Sequence, residues 1–103
     1  ELSKLSQLDF GNNELSTLPN SLKELRYLEY IRIDSNQFSS LPDCLLQLTF
    51  LREIDARHNN IEKLPEDLSP LRNLESLLLE GNPISESERN RIKQALPNVT
   101  IDF

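Results

Sequence analysis

Apolar residues return along this chain at a fixed interval of 23 residues, anchored at Leu5, Leu28, Leu51 and Leu74. After each anchor, apolar and polar positions alternate, which is the two-residue period of a short β-strand with one buried side. An asparagine follows each of these segments. In the first three copies a Leu-Pro pair comes next, and apolar residues then recur at the three-residue spacing of a single tight helical turn. A period of this length predicts stacked structural units, each made of a strand and a return segment.

The four copies align without insertion or deletion. The second copy has Leu28, Ile31, Ile33, Asn36, Phe38, Leu41, Pro42, Leu45 and Leu48. The first has Leu5, Leu8, Phe10, Asn13, Leu15, Leu18, Pro19, Leu22 and Leu25, and the third has Leu51, Ile54, Ala56, Asn59, Ile61, Leu64, Pro65, Leu68 and Leu71. The fourth keeps Leu74, Leu77, Leu79, Asn82 and Ile84 and then departs from the pattern. Ala56 is small for its position, so either a bulky neighbour such as Phe38 fills the space or a small cavity remains.

This frame resembles the leucine-rich repeat family in its 23-residue Leu-Pro form. The resemblance implies an α/β solenoid with a parallel sheet of about five short strands on the concave side and short 3-10 or irregular returns. It also implies a capping helix and an edge strand at the carboxyl terminus. We expect a single domain over residues 1–103, with repeats at 5–27, 28–50, 51–73 and 74–84 and a cap at 85–103. In-register asparagines are expected to form a ladder that holds the turns after the strands.

The segment after the fourth copy has the sequence features of a terminal cap. Ser85 and Glu88 have the spacing of a capping box, so we expect a helix of about 11 residues that runs to Leu96 and stops before Pro97. Its apolar side is predicted to contain Ile92, Ala95 and Leu96, and a last edge strand is predicted to alternate at Val99, Ile101 and Phe103. A repeat array needs such a cap because its last unit otherwise exposes the core to water.

The amino terminus shows no comparable cap. The sequence contains no methionine, and Leu2 precedes Leu5 as Leu25 precedes Leu28. We therefore expect the chain to start within an earlier repeat or a degenerate cap, through processing or truncation, and its open end is a candidate for self-association. The ending from Asn82 onward is most similar to bacterial members of the family. That similarity implies a secreted or cell-surface protein, with a cytoplasmic protein as the alternative.

Composition narrows the classes of partner. The chain carries a net charge of −6 with a pI near 4.7, which argues against nucleic acid and anionic lipid as ligands. It has no apolar run of the roughly 18 residues needed for membrane insertion. The single cysteine, Cys44, excludes an internal disulfide, and the single histidine, His58, falls in a different part of the repeat. We therefore predict no enzyme activity, no cofactor and no metal site.

Side chains that point outward from the strands should form three columns across the concave side. The columns are Gln7, Tyr30, Glu53 and Ser76; Asp9, Arg32, Asp55 and Leu78; and Gly11, Asp34, Arg57 and Glu80. Neighbouring strands lie about 4.8 Å apart, so Arg32 should lie between Asp9 and Asp55. By the same argument, Arg57 should lie between Asp34 and Glu80.

Two interpretations of these columns remain open. They are either alternating surface ion pairs, worth roughly 0–1 kcal/mol each, or a mixed-charge binding surface on which Tyr30 and Leu78 act as anchors. The candidate partner-binding residues are Tyr30, Arg32, Asp34, Glu53, Asp55, Arg57, Leu78 and Glu80. The expected function is a protein–protein interaction module of a bacterial secreted or surface protein. The alternatives are an intracellular scaffold or regulatory segment of a longer repeat protein, and the substrate-recognition domain of an effector.

A second candidate surface lies beside the returns. Tyr27 and Phe50 occupy equivalent positions in adjacent repeats, just before the anchor leucines, and Leu46 is nearby. These residues form either a lateral apolar patch for dimerisation or additional packing around the returns.

Overall fold

The computed structural model describes residues 4–103 and contains a sheet of five parallel strands, ordered as they occur in the chain. The strands are β1 (Gln7–Asp9), β2 (Tyr30–Arg32), β3 (Glu53–Asp55), β4 (Ser76–Leu78) and β5 (Thr100–Asp102). Equivalent repeat positions face each other, and the cap strand continues the sheet by placing Ile101 opposite Leu77. The predicted solenoid is therefore confirmed. The expectation about Leu2 lies outside the described residues.

The core lies behind the sheet, where the apolar frame positions converge. The central residues of β2, β3 and β4, namely Ile31, Ile54 and Leu77, are at most 1% exposed. Ala56 is completely buried, and Phe38 is among the largest buried side chains of the same core. The sheet is thus held in place by one continuous apolar layer, which leaves its other side free to present polar residues.

The returns differ in structure, although their apolar spacing is the same. The first two contain 3-10 helices, Asn20–Glu24 and Asp43–Gln47, each of which starts after the proline of a Leu-Pro pair. No helix forms over residues 66–70 of the third return. Pro70 stands there at the position of the last helical residue of the other two, and it has no N–H to donate to the carbonyl three residues earlier. The predicted helical turns are therefore present in two of the three returns.

The cap helix α1 (Glu86–Ala95) begins where the sequence predicts. Ser85 is its N-cap, and its hydroxyl accepts a hydrogen bond of 3.2 Å from the Glu88 N–H. The helix ends at Ala95, one residue before the predicted end. Ala95 is exposed, so its predicted place on the apolar side is wrong. The chain leaves the helix at Leu96, and the larger Leu96 side chain takes the buried position together with Ile92.

The Glu88 side chain, the second member of the expected capping box, connects the cap to the third repeat instead. The Glu88 carboxylate accepts hydrogen bonds from the Leu64 N–H at 2.9 Å and from the Arg91 guanidinium at 2.7 Å. Arg91 also donates to the carbonyls of Leu64 and Pro65, at 3.0 and 3.2 Å. The bond from Arg91, together with that from Leu64, holds the pKa of Glu88 below its usual value despite partial burial. The side chain of Glu88 thus joins two separate elements rather than closing its own helix.

Candidate partner-binding surface

The five strands present their outward side chains on one face, which we call the concave face. Its two main columns follow directly from the strand register: Gln7, Tyr30, Glu53, Ser76 and Thr100, and Asp9, Arg32, Asp55, Leu78 and Asp102. The third column lies just beyond the strands, where backbone hydrogen bonds still join the repeats: the Asn12 N–H donates to the Asp34 carbonyl at 2.9 Å. All eight candidate residues are therefore carried by neighbouring strands or by the segments that directly follow them.

The strongest ion pair on the concave face lies within a single repeat. Arg57 donates two hydrogen bonds to the Asp55 carboxylate, from Nε at 2.9 Å and from an NH2 group at 2.8 Å. Asp34 and Glu80 flank Arg57 as expected and both attract it, but the hydrogen bonds of the guanidinium go to Asp55, which the column argument did not predict. Positions two apart point to the same side of an extended chain, so Asp55 lies within reach in the planar, two-point geometry that a guanidinium favours.

Asp55 serves mainly to hold Arg57. Its side chain is only 4% exposed. Burial alone would raise the pKa of Asp55, but hydrogen bonds from Arg57 and attraction to Arg32 outweigh that effect and keep the pKa below its usual value. The carboxylate therefore remains ionised at neutral pH and fixes the orientation of the Arg57 guanidinium, which is about one-third exposed.

Arg32 is held more loosely. Its guanidinium lies 3.4 Å from Asp9, 3.4 Å from Asp34 and 3.6 Å from Asp55. The predicted position between Asp9 and Asp55 is confirmed, and Asp34 is an additional neighbour. Each of these distances is longer than the Arg57 contacts, and half of the Arg32 side chain is exposed. Arg32 is thus the more accessible cation of the concave face and remains able to bind a carboxylate from another molecule.

Gly11 has a role that the sequence pattern alone did not reveal. A Cβ atom at this position would come within 2.5 Å of Asp34 Oδ1. That oxygen is buried and has no hydrogen bond among the described residues, although Arg32 Nε lies 3.4 Å away. The absence of a side chain at Gly11 therefore makes room for the Asp34 carboxylate beside Arg32. The available signal was the presence of the smallest residue in a column of charged ones.

The two candidate anchors are partly exposed on the concave face. Tyr30 is flanked by Gln7 and Glu53 on the adjacent strands. Leu78 lies between Asp55 and Asp102, so an apolar side chain interrupts a charged column. An aromatic and an aliphatic residue thus expose apolar surface in a polar surrounding without forming a large apolar patch.

Cys44 and His58, the residues considered for catalysis, lie in different parts of the repeat and differ in exposure. Cys44 is buried in the second return, where loss of hydration raises the pKa of its thiol. His58 is exposed after β3, in the left-handed conformation, and its ring covers Gly81 in the next turn. Within residues 4–103, no group of three or more His, Cys, Asp or Glu residues is arranged to hold a metal ion.

In the same part of the chain, none of the helices combines the length and the hydrophobicity of a membrane span.

Tyr27 and Phe50 form a stacked pair at the side of the molecule. Their ring centroids are 5.9 Å apart with an interplanar angle of 26°. They are also the large apolar side chains that remain most exposed within residues 4–103, at 53% and 50%. Packing between the two rings therefore accounts for only part of their surface. We call these two residues the aromatic pair.

Comparisons with known proteins agree with this geometry. A leucine rich repeat family model matches residues 26–84, and a second leucine rich repeat model matches residues 4–25. A leucine-rich repeat protein of Leptospira interrogans is similar with a TM-score of 0.89 and 34% identity, over 96% of this chain and 25% of that one. An internalin of Listeria monocytogenes has a TM-score of 0.79 and 30% identity, over 98% of this chain and 28% of that one. A search of curated proteins finds no match.

Proposed function

Since the chain belongs to the leucine-rich repeat family, we propose that it binds a protein partner through the concave face. Domains of this family are commonly protein-interaction modules, and the two similar structures are bacterial proteins of the same kind. The observation that carries the proposal is the in-register sheet, which puts Tyr30 and Arg32 of β2 and Leu78 of β4 on the same side, with β3 between the two strands. A sheet held by a buried core presents these groups on a backbone that needs no ordering on binding, so only the side chains lose freedom.

The concave residues divide into three roles in this proposal. Tyr30 and Leu78 are the anchors that lose water on binding, and Arg32 supplies a cation for a carboxylate of the partner. Asp34 and Asp55 hold the arginines in place and set the charge pattern that a partner has to match. The remaining candidates are Glu53, Arg57 and Glu80, which extend the contact area around these groups. Most of the affinity is expected to come from the anchors.

The partner class is a protein rather than a nucleic acid. Carboxylates outnumber guanidinium groups on the concave face, and the whole chain has a net charge of −6. Binding to a phosphate backbone depends on lysine and arginine contacts that release counterions. A mixed-charge face with an excess of carboxylates disfavours such a ligand, whereas it can be matched by the polar surface of a protein.

We also propose that the parent protein is a bacterial secreted or cell-surface protein. The supporting observation is the similarity to leucine-rich repeat proteins from Leptospira and Listeria. Because this chain spans only about a quarter of either structure, a segment of a longer repeat array is the second candidate. An effector's substrate-recognition domain is a further alternative. The complete gene separates them, since a secretion signal, many further repeats or a large catalytic domain would each support one.

The binding proposal is tested by affinity capture from candidate host and bacterial extracts with wild-type protein and the variant Tyr30→Ala/Arg32→Ala/Leu78→Ala. A protein retained by the wild type should bind the variant at least roughly tenfold more weakly, since two anchors and one cation are lost. Thermal unfolding of the variant, followed by circular dichroism, checks that its fold persists.

A matched control is provided by Glu62→Ala/Lys63→Ala, which changes exposed residues on the return side of the third repeat. Its affinity for the captured protein should equal that of the wild type. Equal affinity of the folded concave-face variant would rule out this face as the binding site. The same affinity loss in the control variant would indicate a different surface.

A further inference from the structure

The aromatic pair lies outside the concave face, at the side where the strands begin. Tyr27 and Phe50 each precede the anchor leucine of a repeat, and their rings stack while about half of each side chain remains exposed. The equivalent positions before and after them hold Lys4 and Asn73. An apolar surface therefore exists at this side only where two adjacent repeats carry aromatic residues, and it is bounded by polar groups.

Two arginines flank the aromatic pair in the repeat frame and form no ion pair within residues 4–103. Arg26 directly precedes Tyr27, and Arg72 stands at the same repeat position two units later. Both are exposed, and neither forms a salt bridge or a side-chain hydrogen bond with any residue of the described range 4–103. The charge of Arg52, which lies close to Phe50 in the sequence, is by contrast already balanced by carboxylates. Its guanidinium lies 3.8 Å from Glu29 and 3.2 Å from Glu75.

This charge pattern is opposite to that of the whole molecule. The chain has 17 acidic and 11 basic residues, and Arg26 and Arg72 are cations that its carboxylates leave unpaired within residues 4–103. Of the nearby carboxylates, Glu29 and Glu75 are engaged by Arg52, and Glu24, two residues before Arg26, forms no ion pair with Arg26. Arg26 and Arg72 are therefore available to bind carboxylates of another molecule while the rings contact an apolar side chain.

We propose that the aromatic pair and its flanking arginines form a second docking surface, which binds an acidic peptide segment of a partner protein. The segment carries an apolar or aromatic side chain between carboxylate residues. Its apolar group covers the exposed halves of Tyr27 and Phe50, and its carboxylates pair with Arg26 and Arg72. This surface is independent of the concave face, so one molecule could engage two parts of a partner or two partners at once.

The size of the surface favours a peptide over a second copy of this chain. Two half-exposed aromatic side chains offer about 200 Å² of apolar area, whereas a stable dimer buries about 800 Å² on each partner. Two copies would also bring together chains of net charge −6. A short segment with one apolar anchor needs no larger area, because a few contacts carry most of the binding energy of such an interaction.

The test uses two short synthetic peptides as probes, one with a phenylalanine between aspartate and glutamate residues and one in which lysines replace the acidic residues. Each is titrated into isotope-labelled protein at low salt and followed by the backbone amide signals in NMR spectra. The acidic peptide should shift signals around Tyr27 and Phe50 but not around Tyr30 and Arg32. Binding should weaken as salt is added.

Variants separate the aromatic and the ionic contributions. Tyr27→Asn/Phe50→Asn introduces the residue that the third copy carries at this position, and it should weaken the binding of the acidic peptide roughly tenfold. Arg26→Gln should weaken it several-fold. Lys63→Gln removes the same charge from the return side of the third repeat and should leave the affinity unchanged.

Several results would overturn the proposal: no binding of the acidic peptide, equal affinity of the lysine peptide, or an unchanged affinity in the aromatic variant. Shifts confined to Tyr30 and Arg32 would move the acidic ligand to the concave face. Concentration-dependent shifts around Tyr27 and Phe50 without any peptide would show that a second copy occupies the surface instead. None of these results depends on whether the concave face binds its own partner.

Discussion

At the scale of single residues, the asparagines after the strands contribute most clearly to the fold. The buried Asn59 side chain donates to the carbonyls of Ile33 and Ala56 at 3.0 and 3.1 Å, and it accepts from the Phe38 N–H at 3.0 Å. Asn36 and Asn82 make corresponding bonds one repeat earlier and one repeat later. Each amide thus satisfies backbone groups of two repeats in a region closed to water, which is why a short polar side chain recurs inside an apolar frame.

Replacing Asn59 by alanine should lower the free energy of unfolding by roughly 1–3 kcal/mol, since buried backbone groups lose their hydrogen-bond partner. The control is Asn13→Ala. Asn13 is exposed, and within residues 4–103 its side chain bonds only to the Phe10 and Gly11 carbonyls of its own turn, so the change there should be much smaller. Chemical denaturation of both variants measures the difference. Equal effects would contradict the role assigned to burial.

At the scale of elements, the cap is attached to the array by side chains as well as by apolar packing. Glu88 and Arg91 connect α1 to backbone groups of Leu64 and Pro65, and Phe103 lies under the charged ends of Arg89 and Lys93. The first contact joins the cap to the third repeat, and the second joins α1 to the end of β5. The helix α1 is therefore linked both to the third repeat and to the residue that follows β5.

The low pKa of Glu88 makes this attachment sensitive to acid. A carboxyl group whose pKa is depressed in the folded state adds stability above its unfolded value, and that stability is lost as the pH falls through the folded value. We therefore expect the free energy of unfolding to decline below pH 4.5, the ordinary value for this group. Glu88→Gln should be less stable at neutral pH and should show a shallower decline.

Denaturation at a series of pH values measures this dependence. Glu86→Gln is the control, because Glu86 belongs to the same first turn of α1 but is exposed. The slope of its stability against pH should follow the wild type closely. Asp55 acts in the same direction as Glu88, so part of the acid sensitivity should persist in Glu88→Gln. Parallel curves for wild type and Glu88→Gln would contradict the proposed attachment.

At the scale of the whole molecule, burial is uneven along the stack. Ile31 and Ile33 of the second repeat are at most 1% exposed, whereas their equivalents in the first repeat, Leu8 and Phe10, are only partly buried. Within residues 4–103, β1 pairs with β2 alone. The carboxyl-terminal side, in contrast, is closed by α1 and β5. The two ends of the described array therefore differ in how much apolar surface they expose.

This asymmetry leads us to expect reversible self-association of the 103-residue chain through the β1 edge at high concentration, because an exposed strand edge with apolar side chains is a template for pairing. Leu8→Lys should shift the equilibrium to monomer, whereas Ser6→Lys, which adds the same charge at an exposed position, should have a smaller effect. Sedimentation velocity over a range of concentrations measures both. A wild-type chain that remains monomeric throughout would refute the prediction.

The sequence by itself was sufficient for the periodic and local features of this protein. A 23-residue period with matching apolar positions predicts parallel strands in register, because identical neighbours can stack in only one alignment without exposing their core residues. The buried asparagines and the Ser85 N-cap follow in the same way, since each depends on residues of its own turn or of the adjacent copy. These features explain why the fold and the composition of the concave face were predictable.

Only the tertiary structure decided between side-chain hydrogen-bond partners that were equally compatible with the sequence. Arg57 had several carboxylates within reach, and the geometry favoured Asp55 because two hydrogen bonds form there at once. Glu88 could have capped its own helix but instead bonds to Leu64, which the period brings beside the cap. The exposure of the aromatic pair likewise depends on how the returns pack. Such choices rest on differences of an ångström between side chains of separate segments, which a repeat pattern does not encode.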